Sequence, residues 1–460
     1  MMKVTKKRFL FWDEIDDRHG EIKQNIGRKK RYDEGLIIKL KDVKENFGAQ
    51  ERRLVEKGYA DYDHSYRVQL RKIKEILDNY RISFIELRGI QISEVCQIFE
   101  RINQAGEPLD IFDIVVAKTF RPEDKNKKGF YLRELIDEFR DKTQGNFSKI
   151  DNLTYLQILA IFINQKIPNS GILNITDKYL SDIKTEYIEE VWSEAAKALL
   201  KLFDFFDNHL HLKGPELIPF RYFYMTLASY FFENSNPSYE DYDFLKKYFW
   251  FYSFHNDELL RNTTHLRSHI EFLNKNKEGE EIQFDRFLMD KNKLRASSYS
   301  SKGRLSRAIL SLQSNQEPKD WKHPDRSVIT EVYYRLTDKP NLHHIFPTNF
   351  IANNPSKNKL DSNSLMNIAY LPQITNLGIS DENPIKYLKD YDTPDFVNIM
   401  KSHLLPEELI EWSRMDSMPE NALDIFIEKR IDLVIGKLKE KLSGIDFKII
   451  DTKEKVDVEK

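Results

Sequence analysis

Few residues in this chain break helices. It contains only 16 glycines and 16 prolines among 460 residues. Because these two residue types interrupt helices most strongly, their scarcity favours long helices over many short strands. We therefore expect a mainly α protein with a minor β component (α+β). At roughly 150 residues per domain, its length allows about three domains.

The charge balance and the single cysteine narrow the class of protein. Lys and Arg total 72 against 74 Asp and Glu, a formal net charge of -2. The chain thus has no overall positive charge that would by itself indicate nucleic-acid binding, and any phosphate-binding surface has to be local. Cys96 is the only cysteine, which excludes an intrachain disulfide and favours a reducing compartment. No segment approaches the roughly 18 apolar residues of a membrane span, so we expect a cytoplasmic protein with no membrane partner.

The pattern of apolar residues predicts helices over most of the chain. Residues 33–80 mix charged and apolar positions at helical spacing, and residues 130–273 are helical and aromatic in character. Residues 82–87 are rich in β-branched and aromatic side chains, which indicates a strand. A helix is expected to begin at Ser93, and the polar run 122–128 is typical of a linker or long loop.

Aromatic side chains recur within the expected central helices, where stripes at helical spacing most often form a core. These expected helices cover residues 192–206, 219–232 and 239–254, and a further short helix is expected at 305–312.

The stretch from 341 to 391 is the richest in side chains suited to catalysis. An adjacent pair, His343 and His344, is followed by Asn367 at the start of an apolar segment and then by Asn376. A helix is expected to begin at Pro384, since proline is favoured in a first turn. The pattern predicts a strand, a long loop, a second strand and a helix within about 50 residues.

These residue types suit hydrolysis of a phosphodiester, which needs an in-line nucleophile, a base for the water and a cation near the oxygens where negative charge develops. Neighbouring residues of a strand point to opposite sides, so one of the two histidines can hold a metal ion while the other faces the attacking water. A neutral imidazole is a competent base near neutral pH, and the amide oxygen of Asn376 is a hard ligand suited to Mg²⁺ or Mn²⁺. Asn367 suits a bracing role, with its amide fixing backbone groups near the histidines.

In this order, the residues resemble the HNH (ββα-metal) nuclease motif, in the form found in the C-terminal domain of GmrSD-type modification-dependent restriction endonucleases. The match comprises the histidine pair with residues 345–347 after it, then Asn367, then Asn376. The resemblance implies that His344 is the general base, that His343 and Asn376 are the metal ligands, and that Asn367 is the structural member of the catalytic motif. It also implies a divalent metal cofactor, Mg²⁺ or Mn²⁺, and DNA as the partner.

One position departs from the pattern of that family. Such sites often carry a basic residue directly after the last asparagine, where this chain has Leu377 and Gly378. A phosphate contact would then come from elsewhere, and Lys386 and Lys389 are the candidates. A histidine pair alone is more often a surface feature than a metal site, so the prediction depends on the whole ordered set.

A second resemblance lies in the N-terminal half. Residues 98–109 (IFERINQAGEPL) are similar to a motif of the ParB-like, nucleotide-hydrolysing N-terminal domain of the same family, which implies nucleotide binding by Arg101 and Asn103. Alternatively, these residues end a helix in a glycine turn and serve backbone geometry. The Asp-Gly-Gln-Gln-Arg motif of that domain does not occur in this sequence. We therefore expect that the chain lacks the first part of the domain, and that an NTP binds only if a separately encoded partner supplies the motif.

The two resemblances together imply an arrangement of domains and a function. We expect a partial ParB-like region at 1–125, a helical region at 126–300, an HNH nuclease domain at 301–445 and a flexible tail at 446–460. The expected function is metal-dependent cleavage of DNA phosphodiesters, in restriction of foreign or modified DNA. The alternative is a non-catalytic or regulatory DNA-binding subunit of a split or degenerate restriction system, and an RNA-cleaving toxin would share the same site chemistry. The sequence leaves the oligomeric state open.

The remaining histidines and the densest basic run suit ordinary structural roles. His265 and His269 lie one helical turn apart but without the intervening acidic residue of a zincin motif, so we expect them at the surface or in the core. The same expectation holds for His209 and His211. The basic run at 28–31 is typical of a solvated helix face.

Overall fold

The computed structural model describes most of the chain, in two units. Contacts between residues separate Met1–Gly89 from Ile90–Lys460. The described residues are 15–16, 21–22, 38, 40–81, 110–125, 127–143, 145–255, 263–277, 279–280, 282–354 and 357–451.

The first unit holds a small helical core. Strand β1 (Ile15–Asp16) pairs with the antiparallel strand β2 (Glu21–Ile22). Val43, Leu54 and Leu70 form the buried cluster, one from each of three helices. Those helices coincide with the amphipathic helices expected in this part of the sequence and are α1 (Leu40–Glu45), α2 (Phe47–Glu56) and α3 (Ser65–Asn79).

The second unit is mainly helical, as the scarcity of glycine and proline predicted. The helices expected at 192–206, 219–232 and 239–254 are present as Thr185–Asp204, Tyr222–Glu233 and Tyr239–Phe254. The helices up to residue 277 are α4 (Ile111–Thr119), α5 (Leu132–Lys142), α6 (Asn152–Lys166), α7 (Asp177–Leu180), α8 (Thr185–Asp204), α9 (Tyr222–Glu233), α10 (Tyr239–Phe254) and α11 (Thr263–Lys277). Helix α10 begins with a capping box. The backbone N–H of Asp241 donates to the Ser238 hydroxyl, and the backbone N–H of Ser238 donates to the Asp241 carboxylate.

Short strands join the helices in the C-terminal part of the second unit. The strands are β3 (Phe287–Asp290), β4 (Pro340–His344), β5 (Ile368–Pro372) and β6 (Phe447–Ile450). The helices are α12 (Lys291–Arg295), α13 (Arg304–Asn315), α14 (Thr348–Asn353), α15 (Gln373–Ile379), α16 (Pro384–Tyr387), α17 (Phe396–Ser402), α18 (Glu408–Met415) and α19 (Ala422–Lys441). Helix α13 covers the helix expected at 305–312. Within the described ranges, no helix is long and apolar enough to cross a membrane.

One buried apolar cluster runs through the second unit from Phe112 to Leu442. Aromatic rings contribute much of it, as the stripes in the sequence predicted; for example, Phe147 and Phe203 stack with their centroids 5.2 Å apart. The expected helical region and the expected nuclease region therefore share apolar packing. The domain boundaries at 125, 300 and 445 stay predictions.

Ordered structure continues beyond residue 446, where the flexible tail was expected to begin. Strand β6 pairs in parallel with β3, with Phe287 opposite Phe447. Arg295 then donates two hydrogen bonds of 2.8 Å to the Asp451 carboxylate. Because both partners lie far back in the sequence, local composition could not reveal that this segment is paired.

The antiparallel hairpin of β4 and β5 carries the histidine pair. His343 lies opposite Ala369, and His344 lies opposite Ile368. The order of strand, loop, strand and helix is the one expected from the sequence, but the helix that follows β5 directly is α15. The helix that was expected to begin at Pro384 is present as α16, a short additional element.

Polar side chains on the buried helix α13 connect the hairpin to the helical region. Gln313 donates from Nε2 to the carbonyl oxygen of Ile368 at 3.1 Å. Asn315 donates from Nδ2 to the carbonyl oxygen of Leu210 at 2.8 Å. Since buried polar groups need hydrogen-bond partners, these bonds fix α13 between the two parts of the unit.

A buried arginine on α19 joins the segments behind the hairpin. Arg430 is 0 % exposed, and its guanidinium donates to the carbonyl oxygens of Met366 (2.7 Å), His403 (3.1 Å) and Leu404 (3.1 Å). Burial lowers the pKa of Arg430, because removal from water disfavours the charged form. The three carbonyl dipoles offset part of that cost.

Several predicted features lie outside the described residues. They are the strand at 82–87, the helix from Ser93, Cys96, the basic run at 28–31 and the two candidate nucleotide-binding residues, Arg101 and Asn103.

Replacing Arg430 with methionine should destabilise the second unit strongly. The substitution removes every donor to three buried carbonyl oxygens, and we expect a loss of about 3 kcal/mol or more in the free energy of unfolding. The matched control is Arg414→Met, which removes a guanidinium that is paired with Asp392 at the surface; its effect on the free energy of unfolding should be much smaller, because solvent screens an exposed ion pair. Urea unfolding followed by circular dichroism measures both, and equal losses would contradict the role given to Arg430.

Candidate active site

The two histidines of β4 have different surroundings, as their alternation along the strand requires. His343 points into the unit and is only 2 % exposed. His344 is half-buried, on the opposite side of the strand. One imidazole therefore lies in the interior and the other lies where solvent can reach it.

His343 is paired with Asn376. The imidazole Nδ1 lies 2.8 Å from the amide oxygen Oδ1 of Asn376. Asn376 lies inside α15, which follows β5 directly and returns along the hairpin. The structure therefore brings together the two residues expected to hold a metal ion.

Tyr387 contacts the other side of the same imidazole. Its hydroxyl donates to the carbonyl oxygen of Ile345 and lies 3.4 Å from Nε2 of His343. Because the only hydroxyl proton is already used, Tyr387 is an acceptor toward Nε2. The Tyr387 contact suits a proton on Nε2, whereas the closer amide oxygen of Asn376, which only accepts, suits a proton on Nδ1. A cation bound to Nδ1 requires the tautomer with the proton on Nε2, which the Tyr387 contact accommodates.

The donor set is suited to a divalent cation. With the proton on Nε2, two lone pairs face each other across 2.8 Å, at Nδ1 of His343 and Oδ1 of Asn376, and such a pair needs a positive charge between them. Mg²⁺ holds its ligands octahedrally at about 2.1 Å, which places neighbouring ligand atoms about 3 Å apart. The observed spacing is close to that value. In the other tautomer, Nδ1–H donates to Asn376 and the pair is satisfied by itself.

Burial keeps the His343 imidazole neutral. It lowers the pKa of His343 to about 4, with the hydrogen bond to Asn376 opposing the shift and the neighbouring His344 adding to it. A neutral imidazole retains the lone pair that a metal ion requires. Among the described residues, no group of three or more His, Cys, Asp or Glu side chains is arranged to hold a metal ion. A cation at His343 and Asn376 would therefore take its other ligands from water and substrate, as Mg²⁺ commonly does.

His344 is oriented by Asn363. The imidazole Nε2 lies 3.1 Å from the amide oxygen of Asn363. Because that oxygen only accepts, the neutral form of this imidazole carries its proton on Nε2 and its lone pair on Nδ1. The half-buried His344 thus presents an unprotonated nitrogen, which is what a general base needs.

Asn367 braces the loop between the strands. Its Nδ2 donates to the carbonyl oxygens of Phe346 (2.8 Å) and Ser362 (2.7 Å), and its Oδ1 accepts from the Phe346 backbone at 2.9 Å. All of its amide contacts are to backbone groups, at Phe346 just after the histidine pair and at Ser362 in the loop, and the side chain is fully buried. The position of Asn367 is thus that of a brace.

Trp321, a residue that the sequence did not assign to the site, packs against His343. The indole of Trp321 lies edge-on to the imidazole, with ring centroids 6.0 Å apart, and it also stacks on Tyr387. The neighbouring Asp320 accepts from the Thr375 hydroxyl at 3.5 Å, one residue before Asn376. No local pattern marks these residues, since their contacts join two distant parts of the chain.

The two lysines expected to contact phosphate differ in their partners. Lys389 donates to the Asp416 carboxylate at 2.7 Å, so it already has an anionic partner. Lys386 is exposed on α16, near enough for its charge to contribute to lowering the pKa of Asp416. Neither contact tests whether these residues bind phosphate, which stays a prediction.

The other histidines have structural contacts. His269 is buried and lies 3.0 Å from the Tyr248 hydroxyl, and His209 stacks on Tyr242. His403, which the sequence did not single out, is buried beneath Trp321 and donates from Nε2 to the carbonyl oxygen of Lys319 at 2.7 Å.

Comparison with known proteins identifies a distant relative. No family model matches the chain. An uncharacterized protein of the archaeon Methanocaldococcus jannaschii is 25 % identical over an alignment 387 residues long, which covers 76 % of this chain and 62 % of the relative. The chain therefore spans less than two thirds of that relative's length. The relative's name assigns it no function.

Replacing Asn367 with aspartate should destabilise the hairpin. The change removes the two donors to Phe346 and Ser362 and buries a carboxylate in their place, so we expect a loss of about 3 kcal/mol in the free energy of unfolding. The matched control is Asn354→Asp, at an exposed amide that donates to Phe350, with an expected change within about 0.5 kcal/mol. Thermal unfolding of both variants measures the difference, and an unchanged midpoint for Asn367→Asp would refute the bracing role.

The free energy of unfolding should decrease as the pH is lowered, because histidines that are buried in the fold bind protons more readily in the unfolded chain. Burial lowers the pKa of His403 to about 4, whereas an unfolded histidine titrates near pH 6.5. The unfolded chain therefore binds the proton first, so this contribution is complete above about pH 6.5 and is lost as the pH falls toward about 4. His403→Gln keeps a donor for Lys319 and should reduce the pH slope of stability by up to about 1.4 kcal/mol per pH unit.

Urea unfolding at several pH values between 7 and 4.5 measures this slope. His323→Gln, at an exposed position, removes no buried imidazole and should leave the slope as in the unaltered chain. An identical slope in His403→Gln would show that His403 does not contribute to the acid sensitivity.

Proposed function

We propose that this chain is a metal-dependent endonuclease of the HNH type, which cleaves DNA phosphodiesters in modification-dependent restriction of foreign DNA. The observation that supports this most directly is the pair of His343 Nδ1 and Asn376 Oδ1, 2.8 Å apart, beside the half-buried His344. The proposal further gains support from the resemblance of this region to the C-terminal domain of GmrSD-type endonucleases.

Each residue has a defined task in the proposed reaction. Nδ1 of His344 accepts a proton from the water whose oxygen attacks phosphorus, while Asn363 holds the imidazole in that tautomer. A bond forms between the water oxygen and phosphorus, and the bond from phosphorus to the leaving oxygen breaks in line. His343 and Asn376 would hold the divalent cation, which supplies positive charge where the phosphate oxygens become more negative. Asn367 holds the loop that positions the histidines.

The difference in burial supports different roles for the two histidines. His343 is enclosed by Trp321 and Tyr387, so it is too deep to exchange protons readily with bulk water but well placed as a fixed ligand. His344, on the other side of the strand, is open to a substrate. This asymmetry supports the assignment of the base to His344 rather than to His343.

His344→Ala should abolish nicking of supercoiled plasmid DNA. Loss of a general base typically costs about 100-fold or more in rate, and the assay is run with Mg²⁺ or Mn²⁺, with EDTA as the metal-free control, on cytosine-modified and unmodified plasmid. Added imidazole should restore part of the nicking by His344→Ala. His265→Ala, on helix α11, is the matched control and should nick as the unaltered chain does.

A second measurement separates the metal ligand from the base. Calorimetric titration with Mn²⁺ should give similar affinities for the unaltered chain and His344→Ala, and an affinity at least about tenfold weaker for His343→Ala. Metal-dependent nicking that survives in His344→Ala would refute the assignment of the base. DNA binding without nicking in either metal would favour the non-catalytic DNA-binding subunit, and cleavage of RNA alone would favour the RNA-cleaving alternative.

A further inference from the structure

The segment 320–322 is attached to α15, the helix that carries Asn376. Oδ1 of Asp320 accepts from the Thr375 hydroxyl at 3.5 Å and from the Lys322 backbone at 3.0 Å. Both Asp320 and Trp321 are buried. The backbone of Lys322 is therefore fixed against the helix, whereas its side chain is exposed.

The ammonium group of Lys322 lies beside α15. Its Nζ is 3.7 Å from the position that a Cβ would take on Gly378. Thr375 and Gly378 are three residues apart and so share one face of the helix, which is the face along which the segment runs. A Cβ at Gly378 would be in ordinary van der Waals contact with the ammonium, which therefore lies directly at the surface of the helix.

This cation has no anionic partner in the part of the chain that the structure describes. None of the ion pairs found there includes Lys322, in contrast to the Lys389 ammonium, which Asp416 engages. The neighbouring helix surface is also open, since Ile374 is 64 % exposed and Leu377 is 67 % exposed. An ammonium without an anionic partner, carried on an anchored backbone beside an open surface, is available to an anionic ligand.

We propose that Lys322 contacts a backbone phosphate of DNA bound at the site of His343 and Asn376. The inference rests on the proposed function, because it assumes that DNA lies along α15. The Lys322 ammonium puts a positive charge next to Gly378. This is the stretch in which similar sites often carry a basic residue and this chain has Leu377 and Gly378. The contact is a positioning one, made to the backbone and independent of base sequence.

Binding of a fluorescent DNA duplex at several salt concentrations tests this contact. Each phosphate contact adds about 0.9 to the slope of the logarithm of the binding constant against the logarithm of salt concentration. Lys322→Ala should lower that slope by about this amount and weaken binding several-fold at low salt. Lys401→Ala, which removes an exposed lysine that is paired with Glu407, is the control for loss of net charge and should leave the slope unchanged.

Two further variants test the position of the charge rather than the identity of the residue. Gly378→Glu would place a carboxylate beside Lys322 and should reproduce the reduced slope. Leu377→Lys in the Lys322→Ala background should restore the slope, because the exposed position 377 returns a positive charge to the same stretch of helix. Thermal unfolding of each variant checks that the fold is retained.

The outcomes distinguish this contact from the nuclease activity. An unchanged slope in Lys322→Ala, with plasmid nicking by the unaltered chain intact, overturns the Lys322 contact alone. A slope that changes in Lys386→Ala but not in Lys322→Ala overturns it as well and assigns the phosphate to Lys386. A reduced slope supports the contact even if the unaltered chain fails to nick, in which case only the nuclease function fails. No binding of the duplex by the unaltered chain refutes both.

Discussion

The buried guanidinium of Arg430 is the interaction on which the site region most depends. A charge taken out of water needs polar partners, and three backbone carbonyls on two separate segments are directed toward it. One of those carbonyls belongs to Met366, which lies in the same short turn as Asn367. The position of the bracing amide is therefore tied to helix α19, far along the chain.

Asn367 in turn keeps the two adjacent histidines in different surroundings. Asn367 holds the backbone at Phe346 just after β4, so the strand keeps its register against β5 and its side chains keep their alternate directions. His343 is enclosed between Tyr387 and Trp321, where burial keeps it neutral. His344 is turned toward solvent and held by Asn363. The difference in burial thus distinguishes His343, the candidate metal ligand, from His344, the candidate base.

Much of the fold could be predicted because helix formation depends on local composition and spacing. The central helices occupy nearly the residues that their apolar pattern indicated, and the order of strand, loop and strand around the histidine pair is as expected. Helix α15 was not anticipated as the element that carries Asn376, since its seven residues give too little pattern to recognise. The pairing of β6 with β3 was missed as well, because a parallel pair between residues so far apart leaves no local signal.

By itself, the sequence determined the mainly helical class and the set of side chains with catalytic potential, since both depend on residue type and short-range spacing. Only the tertiary structure decided that His343 meets Asn376 and that Trp321 packs against His343. It also decided that Lys389 is paired with Asp416, whereas Lys322 lies beside α15 without an anionic partner among the residues that the structure describes. These outcomes depend on contacts between distant segments, whose free energies come from burial and hydrogen bonding across the core.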